Sequence, residues 1–151
     1  MPKLDFSTAS SGASRRISVF DPEMSMLPEV FDTDRLRNDL PPHLLSLFPG
    51  ECSSVGRVNL QVLQWQPGRR LVLEIALPTT TGWLRFAGKV YCEDRPDVFA
   101  AMKKIWQSGL NAEAQFSIPR PVAYMPSLRL LLQEKVEGTL AKRLFLEEIQ
   151  A

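Results

Sequence analysis

Lys89 is the residue of this sequence best placed to do chemistry. It lies inside an alternating stretch, Phe86-Ala-Gly-Lys-Val-Tyr91, where an ammonium group is tolerated only if it faces water or a partner. In an extended strand Ala87, Lys89 and Tyr91 share one face, and Phe86, Gly88 and Val90 share the other. The small Ala87 leaves room for a flat ligand beside a cation suited to phosphate. The same pattern also describes a lysine on the solvated face of an antiparallel sheet. A second candidate is the turn at Pro67-Gly68-Arg69-Arg70, whose backbone amides and guanidinium groups suit an anion and equally suit plain solvation. Elsewhere the reactive residue types stand alone. His43 is the single histidine and is followed by two leucines, and Cys52 and Cys92 are far apart with no metal-ligand spacing. Asp32-Thr33-Asp34 reads as a helix start, because short polar side chains cap exposed amides there. No catalytic residue and no metal ligand set are assigned.

The elements that must position Lys89 follow from periodicity. Residues 1–18 are rich in Ser and Thr without apolar periodicity, which predicts a disordered leader. Residues 19–56 predict a short helical segment, with one helix from Asp32 to about Leu40 and another around His43–Phe48, ended by Pro49-Gly50. From Arg57 the period becomes two: Val58, Leu60 and Val62 alternate with polar neighbours, and after Pro67-Gly68 so do Leu71, Leu73, Ile75 and Leu77. A second turn at 78–82 leads to a third strand over Trp83–Tyr91. Pro96 and Asp97 then open a helix with apolar positions Phe99, Met102, Ile105 and Trp106, closed by Gly109. Two strands follow, near Arg120–Tyr124 and Leu128–Glu134. Gly138 interrupts the chain, and 139–151 reads as the start of a connecting helix. Residues 57–138 thus predict one α+β lobe, a five-stranded antiparallel sheet with one packed helix.

Five segments in this order resemble the N-terminal lobe of the aminoglycoside phosphotransferase family, a group of kinase-like enzymes. They are Leu63-Gln-Trp-Gln-Pro-Gly-Arg-Arg-Leu-Val-Leu-Glu74, Gly88-Lys-Val-Tyr91, the Phe99/Met102 helix ending at Gly109, Pro119-Arg-Pro-Val-Ala-Tyr-Met-Pro126, and Leu130-Leu-Leu-Gln-Glu-Lys-Val-Glu-Gly138. The resemblance covers roughly residues 20–151 and implies a protein-kinase-like fold that binds ATP. By it, Ala87 packs on adenine and Lys89 holds the α- and β-phosphates. Gly68, Arg69 and Arg70 form the loop over the phosphates. Leu130–Gly138 becomes the hinge, with the Glu134 carbonyl and the Val136 amide against the base and Leu132 nearby.

The sequence departs from that family in two respects. The helix after Lys89 reads Phe99-Ala-Ala-Met-Lys-Lys-Ile-Trp106, without the glutamate that normally pairs with such a lysine. Asp97, Glu93 and Asp94 are the nearest substitutes. No His-x-Asp motif occurs, so the base and magnesium ligands that the family places in its second lobe are not among these residues. The expectation is a nucleotide-binding lobe, truncated before the catalytic one and inactive alone. In a complete protein it would pass the γ-phosphoryl of ATP to a hydroxyl on a small molecule, with Mg2+ bound only through the second lobe. The alternative is a non-catalytic interaction module of the same shape, and a third reading is an unrelated α+β domain with a solvated Lys89. With a net charge of +1, 44% apolar and 23% charged residues, nothing singles out nucleic acid or an anionic membrane as a partner. The absence of a signal-like leader or spanning segment predicts a cytoplasmic protein.

Overall fold

The computed structural model describes residues 3–6, 17–44, 46–48, 57–79, 82–111 and 117–136. Strands β1 (Lys3–Phe6) and β2 (Ile17–Phe20) pair antiparallel. Helices α1 (Leu27–Val30), α2 (Thr33–Asp39) and α3 (Pro41–Leu44) follow, then β3 (Asn59–Gln66), β4 (Arg70–Thr79), β5 (Gly82–Tyr91), α4 (Pro96–Gln107), β6 (Pro121–Met125) and β7 (Leu130–Glu134). The last five strands form one antiparallel sheet in the order β3-β4-β5-β7-β6. The fold is α+β, as periodicity predicts.

The sheet has two unlike faces. Leu71, Leu73, Ile75, Phe86, Val90, Leu130 and Leu132 belong to one apolar cluster with Met24, Leu27, Val30, Leu36, Leu40 and Leu44 from the leading helices. Phe48 meets Phe86 edge to face at 5.8 Å, a favoured aromatic geometry. Gly88 lies within this face, where a Cβ would stand 3.0 Å from Leu130 Cδ1 and 3.2 Å from Ile75 Cδ1. A side chain there would need Leu130 and Ile75 to shift by a few tenths of an ångström within a packed core. Asp32 caps α2 by accepting from the backbone N–H of Asp34 and Arg35, as its position before an apolar run predicts.

Several elements differ from the sequence reading. Residues 3–6 and 17–18 of the leader expected to lack order, with 19–20 at the start of the expected helical segment, form paired strands. Leu4 and Phe6, and Ile17 and Val19, do alternate, but over runs too short to register as a period. Helix α1 spans four residues with Pro28 in its first turn and is below the length at which helical periodicity can be read. The helix expected at His43–Phe48 starts at Pro41 instead, since proline is well placed in a first helical turn. The Leu128–Glu134 strand is shortened by a 3-10 turn at Pro126–Leu128, with Arg129 left-handed at φ 47°. The layer on the sheet also differs. Helix α4 has no buried residue and packs at the β6 edge, because the leading helices already occupy the apolar face. The expected Pro49-Gly50 stop, Gly138 and the 139–151 helix lie outside the described residues.

Candidate functional site

Strand pairing builds the second face from the residues upward. Val72 stands opposite Lys89, Arg70 opposite Tyr91 and Glu74 opposite Ala87 on β4. On the other side of β5, β7 sets Leu131 opposite Lys89 and Gln133 opposite Ala87. Residues directly opposite in a ladder share a face, so Arg70, Ala87, Lys89, Leu131 and Gln133 are neighbours. Lys89 is half-buried. Burial pushes its ammonium below the ordinary lysine range, and the nearby Arg70 guanidinium pushes it further the same way. Among the described residues Lys89 has no carboxylate partner. Burial likewise raises the phenol of Tyr91.

Of the acids offered as partners for Lys89, Asp97 and Asp94 are engaged elsewhere, and Glu93 makes no ion pair with it. Arg95 Nε donates to Asp97 Oδ1 at 3.0 Å, and its Nη2 to Oδ2 at 3.0 Å. The Asp94 carboxylate accepts from the Tyr124 hydroxyl, which itself accepts the Arg95 N–H at 2.8 Å. These bonds fix the entry to α4 against β6 and leave the Lys89 face cationic at this end.

The other candidates separate into two groups. Arg70 reaches the Lys89 face. Gly68, with φ 70°, sits in the β3–β4 turn as a residue free of Cβ strain, but its N–H donates to Asp21 Oδ2 at 2.7 Å. Asp21 is itself buried and also accepts from the Glu23 N–H. The amide expected to face phosphate is therefore satisfied by a carboxylate from the leading segment, and Arg69 beside it is exposed. Leu132 lies on the opposite face, in the apolar core, since strand parity assigns the Lys89-side positions to Leu131 and Gln133. The Glu134 N–H donates to the Arg120 carbonyl at 2.9 Å, and Val136, in the segment expected as a hinge, is exposed.

One cluster on this face escaped the sequence reading. The Glu74 carboxylate is buried and bonded to both Arg85 and Lys135. Hydrogen bonding from Lys135, joined by Arg85, holds it below the usual glutamate range against the opposing effect of burial. The signal was there: Glu74 is the single charge in the run Leu71–Leu77. The Lys135 N–H also donates to the Arg85 carbonyl at 3.3 Å, so the cluster ties the segment after β7 to the sheet. An open trough of about 600 Å³ continues from here between Asn59, Gln61, Glu74, Trp83 and Arg85. It is displaced along β5 from Lys89, and its buried carboxylate is already paired to Arg85 and Lys135. Among the described residues no helix is long and apolar enough to cross a membrane. Compared with family models, curated proteins and solved structures, the chain finds no match.

Proposed function

We propose that the Lys89 face binds the polyphosphate of a nucleotide, and that the chain is the ATP-binding lobe of a small-molecule phosphotransferase of the aminoglycoside phosphotransferase kind. The observation that carries this reading is a half-buried Lys89 beside Arg70 with no carboxylate partner among the described residues. Two like charges held together in a partly desolvated place destabilise the free protein and are offset when an anion arrives. The element order gives further support: three strands, a helix and two strands close into one sheet, with Ala87 two residues before Lys89 on its third strand. Of the turn residues Gly68, Arg69 and Arg70, it is Arg70 that meets phosphate in this reading, since the Gly68 amide is engaged by Asp21. The base, in this reading, lies on Ala87 near the hinge at Glu134–Val136.

Binding and transfer separate here. Phosphoryl transfer depends on a positioned nucleophile and metal-stabilised charge, and the family's His-x-Asp motif is not among these residues. The chain therefore binds nucleotide without turning it over. A non-catalytic interaction module is the second reading, favoured by α4, where Ile105 is 40% exposed on the helix's apolar stripe.

An ATP titration followed by NMR or tryptophan fluorescence tests the proposal. One charge-assisted contact is worth roughly 1.5–3 kcal/mol, so Lys89→Ala should weaken binding about tenfold or more. Lys103→Ala, on the exposed side of α4, should leave it unchanged. Affinity should fall in the high micromolar to millimolar range. Equal affinities in all three proteins, or no binding at millimolar ATP, would move the interaction-module reading ahead.

A further inference from the structure

We propose that the Gln133 side chain reads the nucleobase, giving the site a preference for a base with an amino group at its edge. This rests on the nucleotide reading above. Gln133 is 7% exposed, and its Oε1 is buried with no hydrogen-bond partner. A buried amide oxygen left unmet is destabilising, whereas an apolar residue of similar shape would be neutral there. The strand Leu130-Leu131-Leu132 runs directly into it, so a fourth leucine would extend the run without that penalty. The nearest chain neighbours on this face do not supply a donor. Leu131 is apolar, Ala87 stands directly opposite, the Lys135 ammonium is bound to Glu74, and Lys89, across from Leu131, makes no hydrogen bond to the amide oxygen.

The missing donor has a defined place. A flat base laid on Ala87 lies one ladder rung from Gln133, where side chains of paired strands are in contact range, and the buried amide meets it by turning out toward that side. Adenine carries an exocyclic amino group that donates into such an oxygen, whereas hypoxanthine carries a carbonyl there, which repels it. The amide can rotate to present its nitrogen, but that leaves its donors competing for the same buried space. In the family that this lobe resembles, adenine is read by backbone groups. Gln133 would add a side-chain reader.

Comparing ATP and ITP, which share the same polyphosphate, isolates the base. The parent chain should bind ATP about three- to tenfold more tightly than ITP, the fold-change of one hydrogen bond. Gln133→Leu should weaken ATP by that factor, leave ITP unchanged and so bring the ratio near one. It should also raise the melting temperature, since it removes the unmet oxygen. Gln133→Met serves if the leucine variant packs poorly. An ATP:ITP ratio the same in parent and variant overturns the role of Gln133. If ATP binding stays sensitive to Lys89→Ala in that case, the nucleotide reading stands without it. No ATP binding by the parent chain overturns both.

Discussion

At the scale of single residues, Lys89 is held at a loss. An ammonium group in a half-buried strand position, beside Arg70, lowers the stability of the free fold rather than raising it. Function and stability then oppose each other, as they commonly do at binding sites. Lys89→Met keeps the aliphatic stem and removes the charge, so it should stabilise the chain by about 0.5–1 kcal/mol, a rise of roughly 1–4 °C in melting temperature. The pH dependence follows from the direction of the shift. A lysine depressed in the fold binds its proton less tightly there than in the unfolded chain. The parent chain therefore regains stability as pH rises through the folded value toward the ordinary lysine range, about 10.4. The advantage of the methionine variant should shrink over that window. Thermal unfolding across neutral to alkaline pH checks both points. A lower melting temperature for Lys89→Met would mean that the charge is satisfied in the free protein. Glu74 is the contrasting case, a buried acid met by two cations, and it has nothing left to offer a ligand.

At the scale of elements, the β3–β4 turn is tied to the leading segment through Asp21. That carboxylate accepts from the Gly68 N–H across 47 residues of sequence and from Glu23 beside it. Asp21→Ala removes both of these part-buried bonds, so it should destabilise the chain by about 1–2 kcal/mol. Its effect on ATP affinity should be small, because the turn amide is not the phosphate contact. Denaturant melts of Asp21→Ala, paired with the ATP titration, check this. Tightly coupled losses of stability and affinity would return the turn to the site. Much of this architecture was legible in the sequence. Long alternating runs such as Leu71–Leu77 declare their strands and their buried side, and Asp32 marks the start of α2. The Lys89/Ala87 face follows from parity alone. What could not be read depends on contacts distant in sequence. The Asp21–Gly68 bond has no local signature. Strands of four residues, such as β1 and β2, are too short to show a period. A bulge between Val62 and Gln64 shifts the register of β3, placing Leu63 outside the pattern and exposing it. Leu132 was given to the ligand by proximity to the hinge, although the same parity that selects Lys89 assigns it to the core.

At the scale of the whole molecule, the sheet is sealed on one face and partly accessible on the other, where Ala87 and Lys89 are half-buried and Leu131 and Gln133 are buried. The leading helices close the Leu73, Ile75 and Leu132 side into an apolar core. The opposite side carries Arg70, Lys89 and the Gln133 amide, with α4 packed at the β6 edge. On the proposed function, nucleotide binds to this face and not to the core side or the Gly68 turn. Methyl NMR spectra during an ATP titration test it most directly, because alternate residues along each strand report opposite faces. The expected result is a set of shifts at Val72, Ala87 and Leu131, with Leu73, Ile75 and Leu132 still and Lys89→Ala abolishing the changes. Shifts confined to the core-side methyls or to the Gly68 turn, or an unchanged response in Lys89→Ala, would contradict it.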